Sequence, residues 1–336
     1  MATVNDEPLP PGIQRVELPV PYLDSMNVWL LEGEPLTVVD TGPGNPETLV
    51  TLERQLNSRG VALGDVELVL LTHHHLDHTG LAGRIAERSG AAVAASSATA
   101  AWGREYPARA AEERAFGISL QLAHGVPRAL VEAGEPFWEH IVSNSAAFTV
   151  TQMVAHGDVV VAGGRSLRVV ERPGHSTSDT LFVDDATGVA LVGDHLLAEI
   201  TSGAEVVPSG EPGGGRRRSL VEYLAALRET AQMPLSMLLT GHGPVIHDHR
   251  RLVEDRLAFH EARLQQVVAL VEAGCDTAFE VARRLWDDEV AATQTVLAVW
   301  EVVGHLDLLV ERGVVSEDVG ADGIHVFCAI QPVGAA

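Results

Sequence analysis

The stretch VELVLLTHHHLDHTG, residues 66–80, constrains this chain more than any other. An apolar run of strand length delivers extended backbone into a window crowded with histidines and one aspartate. In extended chain, residues i and i+2 face the same side. His73 and His75 therefore aim at one point, and His74 faces away to pack or hydrogen-bond on the far side. Asp77 and His78 follow where the chain turns toward a helix, near the first pair but on a different vector. Imidazole and carboxylate are ligands suited to zinc. One ion taking His73 and His75 fits the window, and so does a second beside it taking Asp77 and His78. A solvated polar turn does not account for so many histidines at a strand end.

One short stretch cannot complete a coordination shell, so further ligands are expected on loops after other apolar strands. Three segments supply them. PGH, ending in His175, follows RSLRVVER; VGD, ending in Asp194, follows GVAL; TGHG, containing His242, follows LSMLL. Glycine flanks each ligand and lets the backbone bend sharply there.

Elsewhere the chain alternates strand and helix signals. IQRVELPV, MNVWLLEG and LTVVD read as strands of one sheet. PETLVTLERQLNSRG reads as a helix closed by Gly60, and LAGRIAERSG as one closed by Gly90. Residues 98–147 turn helical inside this β-rich pattern, as an inserted lid or as a peripheral layer. DDATG between two apolar runs reads as a hairpin turn. SLVEYLAALRETAQ opens on an expected capping box of Ser219 and Glu222, and TAFEVARRLW on one of Thr277 and Glu280. After residue 246 the chain reads as helices ending in a short hairpin. The expected division is 1–246 for a catalytic domain and 247–336 for a mainly helical one.

The pattern HxHxDH at His73, His75, Asp77 and His78, followed in order by His175, Asp194 and His242, resembles the metallo-β-lactamase superfamily. VVDTG around Asp40 matches that family's early signature. The resemblance covers roughly residues 13–246 and implies an α/β fold, the αββα sandwich, with its site at one edge. It implies that His73, His75 and His175 hold a first metal, that Asp77, His78 and His242 hold a second, and that Asp194 bridges them. Asp40 would support the ligands by hydrogen bonding. The last 90 or so residues resemble the winged-helix-like domain found after this core in fungal polyketide thioesterases and a mitochondrial endoribonuclease. A structural cap or homodimer surface is the expected use of that tail.

The resemblance implies two Zn2+ ions, with iron or manganese as alternatives. Two such ions share a water and lower its pKa from 15.7 toward about 7. The bridging hydroxide would attack the carbonyl of a small-molecule ester, thioester or lactone. Asp77 and Asp194 are the expected catalytic carboxylates, Asp77 orienting the hydroxide or moving a proton. Alternatives within the family are a metal-dependent endoribonuclease or phosphodiesterase and a mononuclear iron thiol dioxygenase. The formal charge of −23 argues against a nucleic-acid partner. No run of about 18 apolar residues is present, so no membrane span is expected. Cys275 and Cys328 are expected as reduced thiols in a cytoplasmic protein. The N-terminus shows no basic-then-apolar leader pattern.

Other residues carry two readings each. His195 should point away from the ligands. His124, His140 and His156 either line a pocket under the insertion or lie on the surface. Arg216, Arg217 and Arg218 either grip an anionic substrate or sit in a solvated loop. Trp102, Tyr106, Phe137 and Trp138 either wall an apolar pocket or pack the insertion.

Overall fold

The computed structural model describes residues 8–20, 23–210, 215–286 and 294–330. The segment before residue 8, the Gly-rich centre of the 201–218 loop and the start of the last long helix read from sequence lie outside them. The first sheet has six strands in the order β1 (Ile13–Val20), β2 (Leu23–Leu31), β3 (Thr37–Val39), β4 (Leu68–Leu70), β5 (Ala92–Ala95) and β6 (Gln152–Met153). The second runs β11 (Met237–Thr240), β10 (Val189–Gly193), β9 (Thr180–Asp184), β8 (Arg165–Glu171), β7 (Val159–Ala162).

Period-2 alternation makes the layers. Trp29 and Leu31 of β2, Leu68 and Leu70 of β4, and Val189 and Leu191 of β10 meet in a core between the sheets. Their neighbours Val28, Leu30 and Val69 face outward onto α1 (Pro46–Asn57) and α3 (Ala82–Ser89), through Leu49, Leu52 and Ile85. Ala190 and Val192 face the opposite way, onto α7 (Ser219–Ala231), α8 (His249–Glu272), α9 (Ala278–Leu285) and α10 (Thr295–Glu311). The result is the αββα sandwich. The outer cluster on the second sheet runs unbroken past residue 246, joining Leu224 and Leu238 to Leu264, Val302 and Phe327.

The insertion forms α4 (Ser97–Glu105), α5 (Ala108–Ala123) and α6 (Arg128–Ser143). It reaches both outer cores, Trp102 and Ala110 on one side and Leu120 and Val131 on the other. The tail ends in an antiparallel hairpin of β12 (Val315–Val319) and β13 (His325–Ala329). Arg256 on α8 donates from one guanidinium nitrogen to the carbonyls of Leu197, Ala198 and Ile200, each at 3.0 Å, and so braces the loop after β10. Among the described residues, no helix is long and apolar enough to cross a membrane.

Three local expectations are corrected. Ser219 is not an N-cap; the cap position is Arg218, and no side chain closes that end. The reason is that Glu222 pairs with Arg217 instead of reaching back to a cap. At α9 Thr277 caps the amide of Glu280 at 3.2 Å, but Glu280 returns its bond to the amide of Asp276. Gly60 sits beyond the end of α1, whose cap is Ser58, whereas Gly90 closes α3 in the left-handed region. Cys275 and Cys328 are both free thiols.

His124 is not a surface residue. It is fully buried, 4.8 Å from the His325 ring and stacked on Phe327. Burial, then Arg216 and His325, push its pKa down to about 3. His260 and His305 form a second buried pair, held down to about 3 and about 4, chiefly by burial. An imidazole with a depressed folded pKa stays neutral while the unfolded chain takes up a proton below about 6.5. Stability is therefore full above that value and falls as the pH drops toward the folded pKa. At pH 5 the loss is on the order of 2 kcal/mol for a group shifted this far. Urea midpoints are expected to fall between pH 7 and pH 5, and the fall to shrink by about that amount in His124→Leu; an equal fall in the variant would remove His124 from the account.

Candidate metal centre

Every candidate ligand stands just after a strand, at one end of the sandwich. β3 leads to Asp40, whose φ of 59° lies in the left-handed region, a conformation aspartate tolerates better than most residues. Asp40 accepts from the Thr72 amide at 2.9 Å and the Thr72 hydroxyl at 2.8 Å, and meets His78 Nδ1 at 2.8 Å. One buried carboxylate thus ties the end of β4 to the short helix α2 (Leu76–Thr79) that carries Asp77 and His78. β8 leads to His175, β10 to Asp194 and β11 to His242. Gly193 has φ 51°, and a Cβ there would collide with Thr72 Oγ1. Glycine is what lets the two sheets approach at this point.

The side chains converge in two groups. His75 Nδ1 lies 3.0 Å from His73 Nε2 and 3.0 Å from His175 Nε2. Three nitrogens each about 2.0–2.1 Å from a common ion at tetrahedral angles would stand roughly 3.4 Å apart, so this spacing suits one metal. Asp77, His78 and His242 form the second group, with His242 Nε2 3.4 Å from Asp77 Oδ2. Asp194 lies between them. Its Oδ1 is 3.5 Å from His78 Nε2, and its Oδ2 is 3.4 Å from His242 Nε2 and 3.7 Å from His175 Nε2.

Electrostatics shape both groups. Burial, reinforced by the neighbouring imidazoles, holds His73 well below the usual histidine value. Burial opposes charge on Asp194, yet His242 and His78 hold its carboxyl far below the carboxylate range. Burial likewise opposes charge on Asp77, and His78 and His242 overcome it. His78 Nε2, His242 Nε2 and Asp194 Oδ1 are buried without a hydrogen-bond partner. Orphaned buried atoms of this kind call for a bound group, and these three all belong to the cluster. The donor set of imidazoles and carboxylates fits divalent metal.

His74 turns away from both groups. Its amide donates to Ser178 Oγ at 2.9 Å, and its Nδ1 lies 2.8 Å from the same hydroxyl. His195 also points away, with Nε2 2.8 Å from Thr230 Oγ1. Burial, then Arg172, holds its pKa down to about 3. His156 is exposed and meets the Glu171 amide. Arg216 fits neither reading, being largely buried in a pair, whereas Arg217 and Arg218 keep solvent-accessible side chains as a solvated loop would. The three pair with Asp307 and Glu317, with Glu222, and with Glu311 respectively, because this acidic chain surrounds them with carboxylates. Trp102 packs inside the first outer core and donates to Glu113 at 3.0 Å, Tyr106 bonds the carbonyl of Val142, and Trp138 lies under Arg114. Phe137, His140 and Ile141 of α6, with Asn144 just beyond its end, wall a small cavity whose other side is Pro43, Asn45, Leu76 and Asp77. The insertion therefore reaches the cavity that Asp77 of the second group lines.

One participant escapes sequence reading. Glu205 Oε2 lies 3.7 Å from His75 Nε2 and 3.8 Å from His74 Nε2. Burial opposes its charge, but His75 and His74 hold its pKa down to about 2. His75 is in turn raised to about 9, burial being outweighed by the neighbouring Glu205 carboxylate. Nothing in AEVVP marks this glutamate, because its partners lie far away in the chain.

The family model for the metallo-beta-lactamase superfamily matches residues 22–242, and a model for the metallo-beta-lactamase-like C-terminal domain matches residues 264–330. A probable metallo-hydrolase of Bacillus subtilis is 28% identical over 298 residues, 88% of this chain and 91% of that protein. A thioesterase of Emericella nidulans is 25% identical over 260 residues, 76% of this chain but 57% of the longer relative. The crystal structure of a metallo-beta-lactamase family protein from Thermus thermophilus covers 96% of this chain and 100% of its own, at 29% identity and a TM-score of 0.79.

Proposed function

The chain belongs to the metallo-beta-lactamase superfamily of metal-dependent hydrolases, and from that premise we propose that it hydrolyses a small-molecule thioester or ester with a pair of zinc ions. His73, His75 and His175 would hold one ion, Asp77, His78 and His242 the other, and Asp194 would join them. The observation that carries this reading is Asp194, whose two oxygens each face a histidine of the second group and one of which also faces the first.

Metal held there supplies an acidified water as nucleophile and polarises the scissile carbonyl. The residues of the chain do the rest. Asp40 fixes the ring of His78 through Nδ1, leaving Nε2 free for a ligand role. Asp77 lies on the cavity wall, where its carboxylate orients the attacking water or takes its proton. Pro43, Leu76, Phe137 and Ile141 offer an apolar wall to an acyl or alkyl group and keep bulk water from that side. A thiol leaving group, with a pKa near about 8.5, departs without a strong general acid. The Emericella nidulans relative named as a thioesterase supports the same substrate class.

The formal charge of −23 and the pairing of Arg216, Arg217 and Arg218 weigh against a phosphodiester substrate. The test is a panel of acyl thioesters, p-nitrophenyl esters, lactones and bis-p-nitrophenyl phosphate, run beside metal analysis of the purified protein. Thioester or ester turnover with about two zinc per chain is the expected result. Turnover confined to the phosphodiester, or a single iron with thiol oxidation, would replace the proposal.

A further inference from the structure

We propose that Glu205 is a positioning residue that fixes the ring of His75 for metal and enlists His74 to do so. The inference rests on the reading of His73, His75 and His175 as metal ligands. His75 points Nδ1 at its two partner imidazoles, 3.0 Å from each. An imidazole that binds metal through Nδ1 must carry its proton on Nε2. That nitrogen lies 3.7 Å from Glu205 Oε2.

The tautomer of His74 follows from its neighbours. Ser178 Oγ accepts the His74 amide proton, and for its own proton His74 Nδ1 at 2.8 Å is a nearer acceptor than Ser176 Oγ at 3.4 Å. The remaining ring proton of His74 sits on Nε2, 3.8 Å from the same Glu205 oxygen. Two N–H groups thus face one buried carboxylate oxygen that has no hydrogen-bond partner of its own. Both distances lie just outside hydrogen-bonding range. The glutamate is itself fixed to the third histidine, because its amide donates to the His175 carbonyl at 3.0 Å. One residue therefore reaches His75 by its side chain and His175 by its backbone, while His74 holds its charge in place.

Partners that orient a ligand ring in this way change metal affinity by about 10- to 100-fold when removed. Glu205→Gln is expected to weaken zinc binding at the three-histidine group by about that factor in chelator competition. It is also expected to move the His75 Nε2–H resonance in the NMR spectrum, with Glu205→Asp recovering part of both. Affinity within about threefold of the parent, with the resonance unmoved, would overturn the proposal. So would loss of a full metal equivalent in His74→Gln, since the trio would then itself hold an ion. His73→Ala separates the two levels of the argument. If that variant binds zinc as the parent does, the ligand assignment falls; if it loses zinc while Glu205→Gln does not, only the positioning role falls.

Discussion

Asp194→Ala is expected to lose hydrolysis by on the order of a thousandfold or more, because in the proposed two-ion reading it removes the carboxylate that would hold both ions beside one water. Among the described residues, Asp194 is the carboxylate that faces both ligand groups. Without it His78 Nε2 and His242 Nε2, already lacking hydrogen-bond partners, face a void. Metal content should fall from about two equivalents to one or fewer. The fold should survive, since the sheets are held by three apolar clusters that do not include this residue. Asp194→Asn keeps the shape and removes the charge, and should lose nearly as much activity. Retained activity with two metals bound would mean that Asp194 joins nothing.

Gly241→Ala is the second large effect, and it adds only a methyl group. A Cβ at this position would collide with Asp194 Oδ1 and stand 2.6 Å from His78 Cε1, both side chains of the centre. Neither neighbour can yield easily. His78 is tied to Asp40 at 2.8 Å, and the Gly241 backbone is bonded to both sheets, its amide to the Gly193 carbonyl at 2.8 Å and its carbonyl to the Asn27 amide at 2.7 Å. Relief must come from displacing the ligands by roughly an ångström, a shift that costs about 100-fold in rate when reacting groups need fixed geometry. Overpacking of this kind also lowers stability by about 1–3 kcal/mol. Steady-state kinetics and a thermal melt would show both. A variant with parent kinetics would mean that the centre has slack at this wall.

The parts of this centre that could be read in advance are those written locally. Alternation in VELVLL sets which residues of β4 face each layer, and although the strand ends at Leu70, His74 turns away from His73 and His75 as read from the sequence. Ligands placed at strand ends beside glycine repeat often enough in PGH, VGD and TGHG to stand out. The rest depends on contacts that leave no periodic mark. Glu205 meets His75 only because two loops fold together. Ser219 satisfies the pattern of a capping box, but a nearby arginine outcompeted the backbone for Glu222. Arg216 looked available to a substrate because its partners, Asp307 and Glu317, are distant in sequence. His124 gave no hint of burial, since the residues that cover it arrive with the final hairpin.

The single arginine of α8 that gathers three carbonyls of the loop after β10 has a bearing on modularity. That loop begins at the carboxylate joining the two ligand groups and leads on to Glu205. A recombination event that carried residues 1–246 into another chain would transplant every candidate ligand and leave the splint of that loop behind. A substitution at Arg256, remote from any reacting atom, is therefore expected to loosen the loop that runs from Asp194 to Glu205.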